Sequence, residues 1–180
     1  MRVYIPHVAA SGATLIAIAA DEIVMGEISR ISSIDVIYTT ETGERISTLA
    51  YLRGFMKLGE MFKTTRKEDI PYPYLSLIES VNLAIFEEFA GYLGQVKEYA
   101  LELLKSAGYE DKEAENINDR LVYGPLTHYE VINFEKAKSI GLRVKFYEEF
   151  KESWSIMRRW LGKYILEESG IHHIKYFIPR

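Results

Sequence analysis

Apolar positions along this chain change their spacing once, near residue 45. Before that point they come in short contiguous runs, and after it they recur at three- and four-residue intervals. Val3-Tyr4-Ile5 is a β-type run stopped by Pro6, whose ring nitrogen cannot join a ladder. Residues 11–20 are small or apolar and carry no charge, which predicts a helix buried on nearly all sides. Gly12 and Ala13 would let another backbone approach it closely. Glu22 to Met25 and Ile31 to Thr39 are rich in β-branched residues and predict two buried strands. The order strand, buried helix, strand indicates an α/β fold with parallel pairing.

From Ile46 onward the pattern is helical. Residues 46–63 and 74–107 form two periodic stretches, the second through Leu77, Val81, Ile85, Phe89, Leu93 and Val96. Ile70-Pro71-Tyr72-Pro73 separates them, because each proline pushes its predecessor out of helical geometry. Gly108 ends the long helix, and Asp111 is the expected N-cap of a shorter one reaching Leu121. A turn at 124–129, a helix over 134–140 stopped by Gly141, a strand at 142–146 and a last helix over 148–167 complete the chain. The tail, 171–180, mixes aromatic and basic residues. Without repeat or linker, residues 1–180 form one unit: a strand–helix–strand region (1–45) and a helix-rich remainder (46–180).

Composition narrows the function classes. With 48% apolar and 27% charged residues the chain belongs with globular proteins. A net charge of -4 leaves no basic excess for a polyanion, so nucleic acid is not an expected partner. The longest apolar run, Ala13 to Ala20 with its single Thr14, is too short to cross a bilayer and lacks the basic flank of a signal peptide. Membrane contact is otherwise left open. Zero cysteines exclude disulfides, thiolate metal sites and a cysteine nucleophile, and no cofactor is expected. One glutamine against 21 glutamates leans toward a thermophilic source.

Chemistry concentrates at Ser11. This serine stands where a strand-like segment enters the apolar helix, so N-terminal N–H groups and the helix dipole can stabilise negative charge near its Oγ. The Gly12 N–H, one residue on, is a natural oxyanion donor in such a turn. A plain N-cap is the other reading, because serine is strongly preferred there.

The residues around Ser11 resemble a known family. Ala10-Ser-Gly-Ala-Thr-Leu-Ile-Ala-Ile-Ala-Ala-Asp-Glu-Ile-Val-Met25, followed by Ser32-Ser33-Ile34-Asp35, is similar to the nucleophile region of the ClpP-class serine proteases. The nearest likeness is to the serine dehydrogenase proteinase group. A second block, Thr127-His128-Tyr129-Glu130-Val131-Ile132 with Lys136 to Leu142, resembles another of its segments. The resemblance spans about residues 3–144 and implies a crotonase-like fold, of which this chain would be the C-terminal portion.

It also implies that Ser11 attacks a peptide carbonyl while Gly12 N–H holds the oxyanion, with a peptide or protein as substrate. Serine needs a base to take its proton. His128 is one candidate, because imidazole titrates near neutrality. Lys63 is another, 52 residues after Ser11, a separation like that of the serine–lysine signal-peptide peptidases. Asp35 stands where the group carries an aspartate and is a candidate to orient a base or bind a substrate amine. Each has a bland counterpart: a loop histidine, a solvated helix lysine, a turn-capping aspartate. The chain departs from the group's pattern at Ala13, at Tyr129 and at Ser32-Ser33. The group places strands, helices and a Gly-Gly loop with a second oxyanion donor ahead of its nucleophile; here ten residues precede Ser11.

Two functions follow from these residues: a serine peptidase of that class, or a non-catalytic assembly or binding module derived from its fold. The first would be active with a partner chain that completes the sheet, or be a truncated relative of an active enzyme; the second predicts a homo-oligomer that covers the 11–20 helix. His172-His173 is a metal-capable pair without a third ligand. Trp154, Trp160, Arg158 and Arg159 give the last helix an amphipathic surface, for packing on its own core or for interaction. Tyr72, Tyr74, Tyr123 and Tyr129 are candidate linings of a peptide groove.

Overall fold

A computed structural model describes residues 1–124 and 130–168. The first 47 residues carry six short strands and one helix: β1 (Arg2–Ile5), β2 (Val8–Ala9), α1 (Gly12–Ile18), β3 (Glu22–Met25), β4 (Arg30–Ile31), β5 (Ile37–Thr39) and β6 (Arg45–Ser47). Helices dominate the rest: α2 (Thr48–Phe62), α3 (Tyr72–Glu79), α4 (Leu83–Ser106), α5 (Asp111–Val122), α6 (Phe134–Ile140), strand β7 (Val144–Phe146) and α7 (Lys151–Glu168). The architecture is mixed α/β, as the spacing of apolar residues predicts.

Parallel pairing holds throughout the two sheets near Ser11. One has the strand order β1-β3-β7, with Val3 opposite Ile23 and Val24 opposite Lys145. The other pairs β2 with β4, Ala9 opposite Ile31. β3 is central in the first sheet, and its Ile23, Val24 and Met25 are buried, which is why that segment reads as a continuous apolar run. Among the described residues, no strand pairs with the outer edge of β1 or of β2.

The core joins these strands to α4 and α5. Phe89, Leu93, Ala100 and Leu104 of α4 are buried, as are Ala114, Ile117, Leu121 and Val122 of α5. Tyr109, between those helices, accepts the Arg143 N–H on its phenol oxygen at 2.7 Å and lies under the Arg143 guanidinium. Burial raises its titration, and Arg143 partly offsets that. This contact ties the α4–α5 hairpin to the start of β7.

Several expected elements differ in detail. The 31–39 strand divides: β4 ends at Ile31, residues 32–36 run on without a partner strand, and β5 forms an antiparallel hairpin with β6. The periodic stretch 74–107 breaks at 80–82, where Asn82 Oδ1 accepts the Ala84 N–H at 2.9 Å and starts α4. Glu110, not Asp111, is the residue before α5, and Asp111 instead pairs with Lys105 at 2.8 Å. Gly141 closes α6 at φ 108°, a left-handed value that glycine meets at least cost. α7 begins at Lys151, after a 3-10 turn over Tyr147–Phe150.

The largest correction concerns α1. It spans only seven residues, and one face is open: Gly12, Ala13 and Ile16 are exposed while Thr14, Ala17 and Ile18 are buried. The absence of charge along residues 11–20 therefore does not reflect burial on all sides within this chain. Ile16, 66% exposed, is a large apolar side chain left in water.

Candidate active site

Ser11 sits on the sharp turn between β2 and α1. Its backbone has φ 52° and ψ -111°, and among the described residues it is the only non-glycine with positive φ. A side chain in that region costs about 1–3 kcal/mol and persists only where neighbouring contacts hold it. Such a strand-to-helix turn is the geometry that lifts a nucleophilic serine clear of its backbone.

The restraining contacts are polar and mostly buried. Ser11 N–H donates to Ser32 Oγ at 3.0 Å, linking the turn to the segment after β4. Thr14, fully buried, donates its hydroxyl to Ala9 O at 2.9 Å and is also 3.0 Å from Ser32 O. Ser32 N–H donates in turn to Ala9 O at 3.0 Å. Residues 9, 11, 14 and 32 thus form a closed clasp around the turn.

The Ser11 hydroxyl and the Gly12 N–H take no part in that clasp. Ser11 occupies the N-cap position, yet its hydroxyl makes no capping hydrogen bond, which removes the bland reading of the residue. Gly12 N–H has no acceptor among the described residues, and the space beside its Cα is open to at least 4 Å. Half-buried Ser11 and exposed Gly12 thus bring a hydroxyl and an N–H without an acceptor among the described residues onto neighbouring positions. α1 has only two turns, so Ser11's backbone and not a long helix dipole defines this site.

Asp35 is buried and its carboxylate is engaged at the start of α2. Ser47 Oγ donates to it at 2.5 Å, Thr48 Oγ1 at 3.1 Å and Leu49 N–H at 3.3 Å. Lys63 lies at the opposite end of α2, about 22 Å along a 15-residue helix, and pairs with Glu60 at 2.8 Å. His128 and Tyr129 lie outside the described residues, as do His172 and His173. Ile132 exchanges two 2.9 Å backbone hydrogen bonds with Ile31, the residue before Ser32. This bridge joins β4 to the segment that leads into α6.

Beside that bridge lies a cavity of about 130 Å³, lined by Arg120, Gly124, Glu130, Ile132, Lys136 and Ile140. The Lys136 ammonium donates to Glu130 across its wall. The tyrosines are dispersed: Tyr72 and Tyr74 are on α3, while Tyr123 follows α5 with Lys97 Nζ 5.0 Å from its ring centre. No group of three or more metal-capable side chains occurs among the described residues.

Sequence reasoning overlooked Thr14 and Ser32. Their signal was available: each is a hydroxyl residue within an apolar run, and a buried hydroxyl needs a partner. Replacing Ser32 by alanine is expected to release the Ser11 amide, raising its hydrogen-exchange rate about fivefold for a hydrogen bond of about 1 kcal/mol. NMR-detected exchange measures this, and an unchanged rate would show that Thr14 alone holds the turn.

Comparison with known proteins gives distant relatives only. Two uncharacterised proteins of Methanocaldococcus jannaschii are each 30% identical to the chain, over 142 and 143 residues. Each alignment covers 79% of this chain but 41% and 43% of the relative. The chain therefore spans about two fifths of the length of these relatives. No family profile matches it, and no solved structure does.

Proposed function

We propose that this chain is a serine peptidase module of the ClpP class with a crotonase-like arrangement, and that Ser11 is its nucleophile. The observation that carries the proposal is the strained backbone of Ser11, kept at φ 52° with a hydroxyl that caps nothing, beside a Gly12 N–H that has no acceptor among the described residues. In this reading Ser11 Oγ attacks a peptide carbonyl and passes its proton to a base, while Gly12 N–H receives the oxyanion. The amine leaves with a proton returned by the base, and water then hydrolyses the acyl-serine. His128 is the base we assign, since Asp35 and Lys63 are committed at the two ends of α2.

The outer edges of β1 and β2, open among the described residues, favour a second element of the proposal. Unpaired edges are templates for another strand. A strand laid there, from a further part of a longer chain or from a partner, would extend the sheets beside Ser11 and bring a second oxyanion donor. Loss of one such donor costs about a hundred- to a thousandfold in rate, so the chain by itself is expected to be slow.

A fluorophosphonate probe tests the nucleophile directly. Labelling is expected on Ser11, mapped by peptide mass spectrometry, and none is expected on Ser11→Ala. If the folded wild-type chain takes up no label, the non-catalytic assembly reading replaces this one.

A further inference from the structure

Ser11 is gripped on both sides of its Cα. On the carbonyl side, Ser11 O accepts the Thr14 N–H at 2.9 Å and the Leu15 N–H at 3.2 Å, so that half of the residue belongs to the first turn of α1. On the amide side, its N–H donates to Ser32 Oγ at 3.0 Å. The φ of 52° is the torsion between these two grips, and it sets the direction in which Cβ and the hydroxyl leave the chain.

The amide grip is itself anchored. Ser32 is 7% exposed, and its N–H donates to Ala9 O at 3.0 Å, which extends the pairing of β2 with β4 by one residue. Its hydroxyl donates to Ser33 O at 3.2 Å, and the single hydroxyl proton used there leaves a lone pair for the Ser11 N–H. Ser32 O stands 3.0 Å from the buried Thr14 hydroxyl. The oxygen that holds Ser11 is thus referenced to the sheet and to α1 at once.

We infer that Ser32 is a positioning residue for the nucleophile: acting through the Ser11 N–H, it holds the left-handed turn from which the Ser11 hydroxyl meets its substrate. The inference rests on the reading of Ser11 as the nucleophile and adds the group that sets its direction. Without the Ser32 oxygen the carbonyl side of Ser11 stays in α1, while φ returns toward the negative values that a side chain prefers. The hydroxyl then leaves the chain in another direction although helix and sheets remain formed.

The rate of fluorophosphonate labelling at Ser11 tests it in four forms of the full chain: wild type, Ser32→Ala, Ser32→Thr and Ile117→Val. Ser32→Ala is expected to label about tenfold more slowly, the effect of a misplaced reacting atom. Ser32→Thr keeps the oxygen acceptor and is expected to label at the wild-type rate. Ile117→Val trims a fully buried side chain of α5 that has no part in the clasp; it lowers stability and is expected to label as the wild type does. Should Ser32→Ala fail to fold, Ser32→Cys, with its weak sulfur acceptor, takes its place and is also expected to be slow. Equal labelling of wild type and the folded Ser32 variant would overturn the inference and leave the nucleophile reading standing. So would equal slowing in Ile117→Val, which marks a general loss of stability, or in Ser32→Thr, which shows that the oxygen is not what matters. A wild type that takes no label removes the nucleophile reading and this role with it.

Discussion

Asp35→Ala is expected to destabilise the fold by about 3 kcal/mol, because it removes a charged acceptor from several donors at once. Thr48 is fully buried and Leu49 nearly so, so the Thr48 hydroxyl and the Leu49 N–H lose their acceptor without gaining water. Ser47, which also caps α2 by accepting the Ala50 N–H, loses the carboxylate that orients it. For a chain of this length the melting temperature should fall by about 6–12 °C. Asp35→Asn retains one oxygen acceptor and should lose roughly a third as much. The pair separates two roles for the residue. If Asp35 only builds the α2 terminus, folded Asp35→Asn labels with a fluorophosphonate as the wild type does. Loss of labelling in a folded variant would place the carboxylate in the chemistry.

Phe89→Ala should cost more, about 4 kcal/mol. The ring is 1% exposed and stands between Tyr38 and Tyr51, each with its ring centre 5.2 Å away. It therefore joins three elements, α4 to the β5 strand and to α2. Truncation loses the burial and leaves a cavity that three elements must collapse together to fill, which makes full relaxation difficult. Urea unfolding should show a lower midpoint with an unchanged slope. A changed slope would mean that β5–β6 detaches and the loss is local.

The sequence was most legible where one interaction dominates. Buried β3 and the long periodic helices announce themselves through apolar spacing, because burial on a fixed face leaves few alternatives. It was least legible where short-range polar chemistry decides. Val8–Ala9 is too brief to read as a strand, and only its pairing with Arg30–Ile31 makes it one. Asn82 starts a helix inside an apolar period that runs straight through it. The open face of α1 was misread because lack of charge looks the same in a buried helix and in one that presents small residues to a neighbour.

At the site, the position of Ser11 was readable from its strand–Ser–Gly context, but its strain was not. A left-handed serine is invisible in sequence, since the residues that enforce it, Thr14 and Ser32, act through space. Asp35 shows the reverse. Its residue type allowed several roles, and the hydroxyls of Ser47 and Thr48, twelve and thirteen residues away, define the one it has in the fold.

The strand order β1-β3-β7 has a consequence for how the chain is completed. Ile23 meets Val144, so the middle strand of the first sheet gains its second neighbour only from the last fifth of the sequence. Every helix from α2 to α6 lies between those two positions. During synthesis β3 has β1 beside it almost at once, while its other edge waits for some 120 residues. A chain ending before residue 144 would keep β3 as an edge strand with Val24 and Met25 short of a wall, however well its helices had formed.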